Sequence, residues 1–264
     1  MGSSLLQWNL FGLWLQGWAL SPLLSEAAAE ALGIDTAGPD WQQWADNLNK
    51  PAPELLAALE WASQEELQGA LGAYDSNNER ILLSSTLQEP TGTTALQNTF
   101  AEELGHWLDD RFNSIDTPGD EGALFAALLL EQPFSTQQRA LWQQEDDTTT
   151  INVDGVATKV EQQEVYKTRW LKDETKEDEP IELEIYLTTA PSHDVTVTIS
   201  YGTGWEDIKS GIGQKQIVFT PTNFNEGQII ELGPTDDLEI SGDRTQTIGL
   251  ALKSTDSTIN GLEE

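Results

Sequence analysis

Near residue 146 the hydrophobic period of this chain changes, and it does not change back. Upstream, apart from residues 70 to 90, apolar residues recur mainly at helical spacing. Downstream they alternate or form short β-branched runs. Thr148 to Val153, Asp154-Gly155 and Val156 to Val160 give the clearest hairpin signal, an Asp-Gly turn between two β-branched segments. Strand-length runs follow at Ile181 to Leu187, Val195 to Ile199, Ile217 to Phe219, Ile229 to Glu231 and Thr245 to Leu252. Helices followed by strands, without alternation, mean α+β or separate domains. A chain of 264 residues is long enough for two. The boundary is expected near residue 160, with residues 1–160 mainly helical and carrying a small hairpin. Residues 161–264 are expected to form a β-sandwich.

Within the helical part, Ser25 is placed to cap a run that ends at Gly33, and Pro39-Asp40 opens a run carrying Trp41, Trp44 and Leu48. Glu54 to Trp61 reads as a third short helix, with Leu55, Leu56 and Leu59 on one side. Ala73-Tyr74, a polar Asp75 to Asn78 turn and Arg80 to Leu83 read as a hairpin. Ser135 caps a helix through Trp142. The apolar, Trp-containing stretch from Leu5 to Leu24 lacks a basic start and is interrupted by Gln7, Asn9 and Gln16. It satisfies neither a secretory signal nor a membrane span well and is expected to be a buried helix or docking segment, with a degenerate signal as the lesser option.

Charge and cysteine content narrow the chemistry. A net charge of -32 argues against nucleic acid, whose phosphates would be repelled, and favours divalent cations as partners. With no cysteine there can be neither a disulfide nor a thiolate metal site.

One stretch concentrates candidate chemistry. From Leu96, the residues Phe100, Leu104 and Leu108 make an apolar stripe, and Glu102, Glu103, His106 and Asp110 fall opposite. Glu102 and His106 are one helical turn apart, so both can address one ion. The pattern Glu-Glu-x-x-His differs at its first position from His-Glu-x-x-His, in which two His bind zinc and the Glu is general base. Pro118-Gly119 marks a turn, and Asp120 can cap a helix from Glu121 to about Glu131. That turn folds the second helix toward the first, where Asp120 or Glu121 can give a third, carboxylate ligand. Asp110, one turn past His106, is placed to orient the imidazole. The competing reading is a solvated acidic face with Asp120 serving only as a cap.

The run Glu102-Glu103-x-Gly105-His106-x-x-Asp109, with Asn113 and Asp116-Thr117-Pro118-Gly119-Asp120-Glu121-Gly122-x-x-Phe125, resembles a zincin-like module near the start of large secreted or surface bacterial proteins with calcium-binding repeats. Gly69 to Tyr74, Ile81 to Ser84, Glu145-Asp146-Asp147 and Ile151 to Gly155 fit the same module, so the resemblance covers roughly residues 60–160. It implies a zincin-like layout but carries no activity over; if the module is a peptidase, zinc is held by Glu102, His106 and Asp120 or Glu121, with Glu103 as catalytic base, and the missing first His points to a degenerate site. In zincins a strand above the active-site helix also offers its edge to peptide, and the hairpin at 70–90 stands in that place.

The second half resembles a Calx-beta-type domain through Leu187-Thr188-x-Ala190-Pro191-x-x-Asp194-Val195-Thr196-Val197, Phe219-Thr220-Pro221-x-Asn223-Phe224-Asn225-x-x-Gln228, Asp236-Asp237 and Gly242-Asp243. The resemblance implies an immunoglobulin-like sandwich over residues 161–264, with calcium on Asp236, Asp237 and Asp243 and Asp256 nearby. The family's last strand has no counterpart before Glu264, which points to a fragment of a longer protein or an open edge where another chain can pair. His193 is expected at the surface. The expected function is therefore a metal-binding, metallopeptidase-like domain joined to a calcium-binding sandwich, secreted or at the cell surface. The alternative is a non-catalytic adhesion or scaffold module that uses calcium for rigidity. Beyond divalent cations, the expected partners are a peptide or another protein chain, with no membrane span.

Overall fold

A computed structural model describes residues 2–48, 58–88, 93–163, 165–172, 180–188, 191, 193–201, 205–207, 214–224, 226–234, 247–256 and 259. The chain divides into two compact units, residues 1–163 and 164–264. Its class is α+β, with helices in the first unit and three sheets among the described residues.

In the first unit α1 (Gly2–Ala19) and α2 (Pro22–Ala31) are separated by a short turn, and α3 (Pro39–Leu48) follows. The apolar N-terminal stretch buries Phe11 and Leu15, and no helix among the described residues is long and apolar enough to cross a membrane. The cap of α2 is Ser21, whose side chain accepts from the Leu23 N–H. The expected cap, Ser25, lies inside that helix and accepts from the Trp41 indole. Pro22 explains the earlier start, because proline is preorganised for the first helical position.

The sequence points to a small hairpin here, but the unit contains a five-stranded sheet in the order β1-β3-β2-β5-β4. Its strands are β1 (Leu59–Ala62), β2 (Gly72–Asp75), β3 (Arg80–Ser84), β4 (Thr148–Val153) and β5 (Val156–Gln163). The hairpin at 70–90 and the Asp-Gly hairpin at 148–163 both form as expected. They then join, because β2 pairs with β5. The sequence predicts helix over Leu59 to Trp61. Instead these residues pair in parallel with β3, a non-local contact overriding local propensity; residues 54–57 of that expected helix lie outside the described residues. The pairing also corrects the expectation of an open substrate edge on the 70–90 hairpin. Both of its strands are interior, and the sheet's outer strands are β1 and β4.

Alternation along the strands gives the sheet two faces. Ala73, Leu82, Ile151, Val153 and Val160 join an apolar cluster on one. Gly72 and Tyr74 turn to the other, which α4 (Thr93–Phe112) covers. Asp109 shapes the turn after α4 by accepting from the Asn113 side-chain amide at 2.7 Å, the Thr117 N–H at 2.9 Å and the Thr117 hydroxyl at 2.5 Å. The chain then enters α5 (Glu121–Leu129), capped by Asp120, whose side chain accepts from the Ala123 N–H. Ser135 caps α6 (Thr136–Trp142).

The second unit has two antiparallel sheets. One is β6-β7-β11-β9, from β6 (Tyr166–Lys172), β7 (Ile181–Leu187), β9 (Trp205–Asp207) and β11 (Gln228–Pro234). The other is β10-β8-β12, from β8 (Val195–Tyr201), β10 (Gln214–Phe219) and β12 (Ile248–Lys253). Val195, Val197 and Ile199 of β8 are buried, while Thr196 and Thr198 between them are partly exposed, as the period of two requires.

Candidate metal centre

Helix α4 is where a solvated acidic face and a chemical site part company. Of the four residues expected on its polar side, only Asp110 is exposed. Glu102 is 7% exposed, Glu103 0%, His106 1% and Asp109 1%. Two close approaches explain how an apolar stripe and most of a polar face can both be buried. At the crossing of α4 and α5, a Cβ on Gly105 would lie 2.9 Å from the Cα of Gly122, and a Cβ on Gly122 would run into the His106 ring. On the other side, a Cβ on Gly72 of β2 would run into the Glu103 carboxylate and Thr99. Without side chains at these positions, α5 and β2 approach the helix closely enough to enclose its polar residues.

The imidazole of His106 is the hub. Its Nδ1 is 2.8 Å from Oε1 of Glu121 and 3.3 Å from Oε2 of Glu161. Its Nε2 is 3.4 Å from Oδ2 of Asp147 and makes no hydrogen bond among the described residues. One ligand atom from each of Glu102, His106 and Asp120 lies within 4.8 Å of the others, so these buried groups can hold one ion. A second set with the same property is His106, Glu121 and Glu161, and a third is Asp109, Asp116 and Glu121. Glu103 lies beside them with both carboxylate oxygens buried and neither hydrogen-bonded among the described residues.

The electrostatics follow from that crowding. Burial drives the Glu103 carboxyl well above the ordinary carboxylate range, and Glu102, Asp147 and Glu161 add to the rise against the pull of His106. Burial opposes a charged His106, but Glu121, Asp147 and Glu161 outweigh it and hold the imidazole well above its ordinary pKa. Burial also lifts Glu161 to about 7, reinforced by Glu121, Asp147 and Asp116. Metal-free, the cluster therefore keeps protons it would otherwise release. A divalent cation can replace those protons, since carboxylate oxygen and neutral imidazole are both metal ligands.

The structure brings together Glu102, His106, Asp120 and Glu121 with Glu103 at their side. It does not give Asp110 the orienting role expected for it. Asp110 accepts a 2.8 Å hydrogen bond from the Tyr74 hydroxyl, and the carboxylate on the imidazole is that of Glu121. Asp236, Asp237 and Asp243 lie outside the described residues. Asp256 is buried, and its N–H donates to the Ser254 hydroxyl. His193 is exposed, as expected.

Sequence reasoning missed Asp147 and Glu161 as parts of the site. Glu161 shares the α4-facing side of the sheet with Tyr74, its cross-strand partner. Asp147 precedes β4, where its carbonyl accepts from the Gln162 N–H. The parity of the Asp-Gly hairpin puts Glu161 on the side opposite Val160, but nothing local says that this side faces His106. No family model, curated protein or solved structure matches the chain.

Proposed function

We propose that the first unit is a divalent-metal-binding module with a metallopeptidase-like layout, in which Glu102, His106 and Asp120 hold one ion. The observation that carries this reading is Glu103, a wholly buried carboxylate with no hydrogen bond among the described residues, beside a buried set able to hold an ion. Burying a neutral polar group unsatisfied costs about 2–7 kcal/mol and an ionised carboxylate far more, a cost that a neighbouring cation offsets. Zinc fits one imidazole with carboxylates, although this set is harder than two imidazoles and one carboxylate and is expected to bind zinc less tightly. When bound, the ion can lower the pKa of a coordinated water. Glu103 stands where the base of the His-Glu-x-x-His pattern stands, so hydrolysis would proceed with Glu103 taking the proton.

A second reading is favoured by a separate observation. The His106 side chain is 0% exposed and that of Glu121 3%, which suits a closed, structural ion better than one open to substrate. Under this reading the first unit is a non-catalytic adhesion or scaffold module. Metal analysis of protein purified without chelator tests the ion, and a one-to-one transition metal lost in His106→Ala is expected. Casein cleavage by the wild type and by Glu103→Gln separates the readings: cleavage abolished by the substitution supports the peptidase, and none in either supports the scaffold.

The second unit is proposed to be an immunoglobulin-like, calcium-binding sandwich in a secreted or surface protein. Its support is the pair of antiparallel sheets and the acidic run containing Asp236, Asp237 and Asp243. Millimolar calcium is expected to raise its melting temperature more than magnesium does, because magnesium demands a tighter octahedral site. The shift should shrink in Asp237→Asn. Reproduction of the whole shift by sodium chloride would reduce the effect to screening.

A further inference from the structure

Two ligand sets share one histidine. Glu102, His106 and Asp120 can hold an ion, and so can His106, Glu121 and Glu161. A metal takes one imidazole nitrogen, and the other characteristically donates its N–H to a carboxylate, carbonyl or water. The distances at Nδ1 decide how the two sets divide the ring. Oε1 of Glu121 is 2.8 Å away, the length of a good hydrogen bond, and Oε2 of Glu161 is 3.3 Å away. Two ligands of one zinc ion, with bonds of about 2.0–2.2 Å at a tetrahedral angle, stand about 3.3–3.6 Å apart. Glu121 is therefore too close to share an ion with Nδ1 and well placed to accept its N–H. Nε2 is buried and makes no hydrogen bond among the described residues.

Resting on the metal-centre reading above, we propose that Glu121 is a positioning residue and not a ligand: its carboxylate holds the Nδ1–H of His106 and so fixes Nε2 as the nitrogen that binds the ion beside Glu102 and Asp120. The start of α5 is built for this division. Asp120 caps the helix by accepting from the Ala123 N–H at 2.8 Å, which fixes the turn on which Glu121 stands. The Glu121 side chain is 3% exposed and that of His106 0%, so water does not compete for the Nδ1 proton. Gly122 follows, and a Cβ there would run into Nε2 and the ring carbons beside it. Three consecutive residues thus serve one imidazole. Asp120 offers an oxygen to the ion, Glu121 fixes the tautomer, and Gly122 leaves the ring its place. Glu161 supports the same nitrogen from longer range.

With only two histidines in the chain, NMR can test this directly. The whole protein, carrying isotopically labelled histidine and loaded with NMR-active cadmium in place of zinc, shows which nitrogen bears the metal through cadmium–nitrogen coupling. His193→Gln assigns the signals. Coupling to Nε2 of His106, with a proton on Nδ1, is expected. Coupling to Nδ1 overturns the proposal on the wild type alone and hands the ion to Glu121 and Glu161. Glu121→Gln is expected to weaken metal binding about ten- to a hundredfold, the usual range for a partner of a ligand. Its cobalt(II) absorption bands should keep their positions, because the ligands are unchanged. Bands that move would make Glu121 a ligand and overturn the assignment. So would a Glu121→Gln protein with a lowered melting temperature but wild-type affinity, since that is a purely structural role. Glu161→Gln should cause a smaller loss and leave the metal on Nε2. If the wild type binds neither cadmium nor cobalt, the underlying metal-centre reading fails and takes this assignment with it. If it binds cadmium through Nδ1, the metal centre stands and only the role of Glu121 fails.

Discussion

Two wholly buried carboxylates lie at opposite ends of β2, and they are treated differently. At one end Asp75 is 0% exposed and fully engaged. Arg80 donates to its Oδ2 at 2.9 Å, and the Asn78 side-chain amide donates to the same oxygen at 2.7 Å. At the other end, beneath Gly72, Glu103 is also 0% exposed, yet neither oxygen receives a hydrogen bond among the described residues. The first is a charge the fold neutralises with its own side chains. The second is surrounded by more carboxylates and a single imidazole. Protein interiors satisfy most buried polar groups, so an unsatisfied carboxylate beside potential ligands is the feature on which the metal-centre proposal rests.

Breaking the satisfied end should have the largest effect. Arg80→Met leaves Asp75 buried without its cation, and removing one partner of a buried pair typically costs about 3–5 kcal/mol. Denaturant melts should show that loss with or without added metal. Adding Asp75→Asn to Arg80→Met should recover part of it.

A smaller loss is expected at the helix crossing. Gly122→Ala pushes a methyl group into the His106 ring, and overpacking of this kind costs about 1–3 kcal/mol. Unlike Arg80→Met, it should also weaken metal binding, because the ring must turn to make room. A Gly122→Ala protein that binds metal as tightly as the wild type would show that the ring has freedom the packing denies it.

The smallest effect sharpens the comparison through pH. In metal-free protein the folded-state pKa of Glu161 is about 7, above its ordinary value of 4.5. Glu103, Glu121 and His106 are shifted in the same upward direction. A group with a raised folded pKa adds stability at low pH and loses it as pH rises through that pKa. The melting temperature of chelator-treated protein should therefore fall between about pH 5 and pH 8. Metal should abolish most of the fall by replacing the protons. Glu103→Gln should reduce it, since the amide has no charge to bury. No fall, or a rise, over that range would mean that the cluster is already neutralised by other means.

Much of the site was legible because its residues are close in sequence. Glu102 and His106 share a helix face by spacing alone, and Asp120-Glu121 follow a Pro-Gly turn that can only reverse the chain. The Asp-Gly hairpin was legible for the same reason, since a two-residue turn is a local event. The pairing of β2 with β5 was not, because it joins strands far apart in the chain, and neither was β1, whose apolar run reads equally well as helix.

The sequence by itself determined the α4 and α5 helices, the Asp120 cap of α5, the change of period near residue 146 and an acidity that calls for cations. Only the tertiary structure decided that Glu102, Glu103 and His106 are buried, that Glu121 and not Asp110 meets the imidazole, and that Asp147 and Glu161 come to the same place. The physical reason is that periodicity assigns a residue to a side of its own element. What that side meets is set by close packing between elements, here allowed by the bare backbones of Gly72, Gly105 and Gly122.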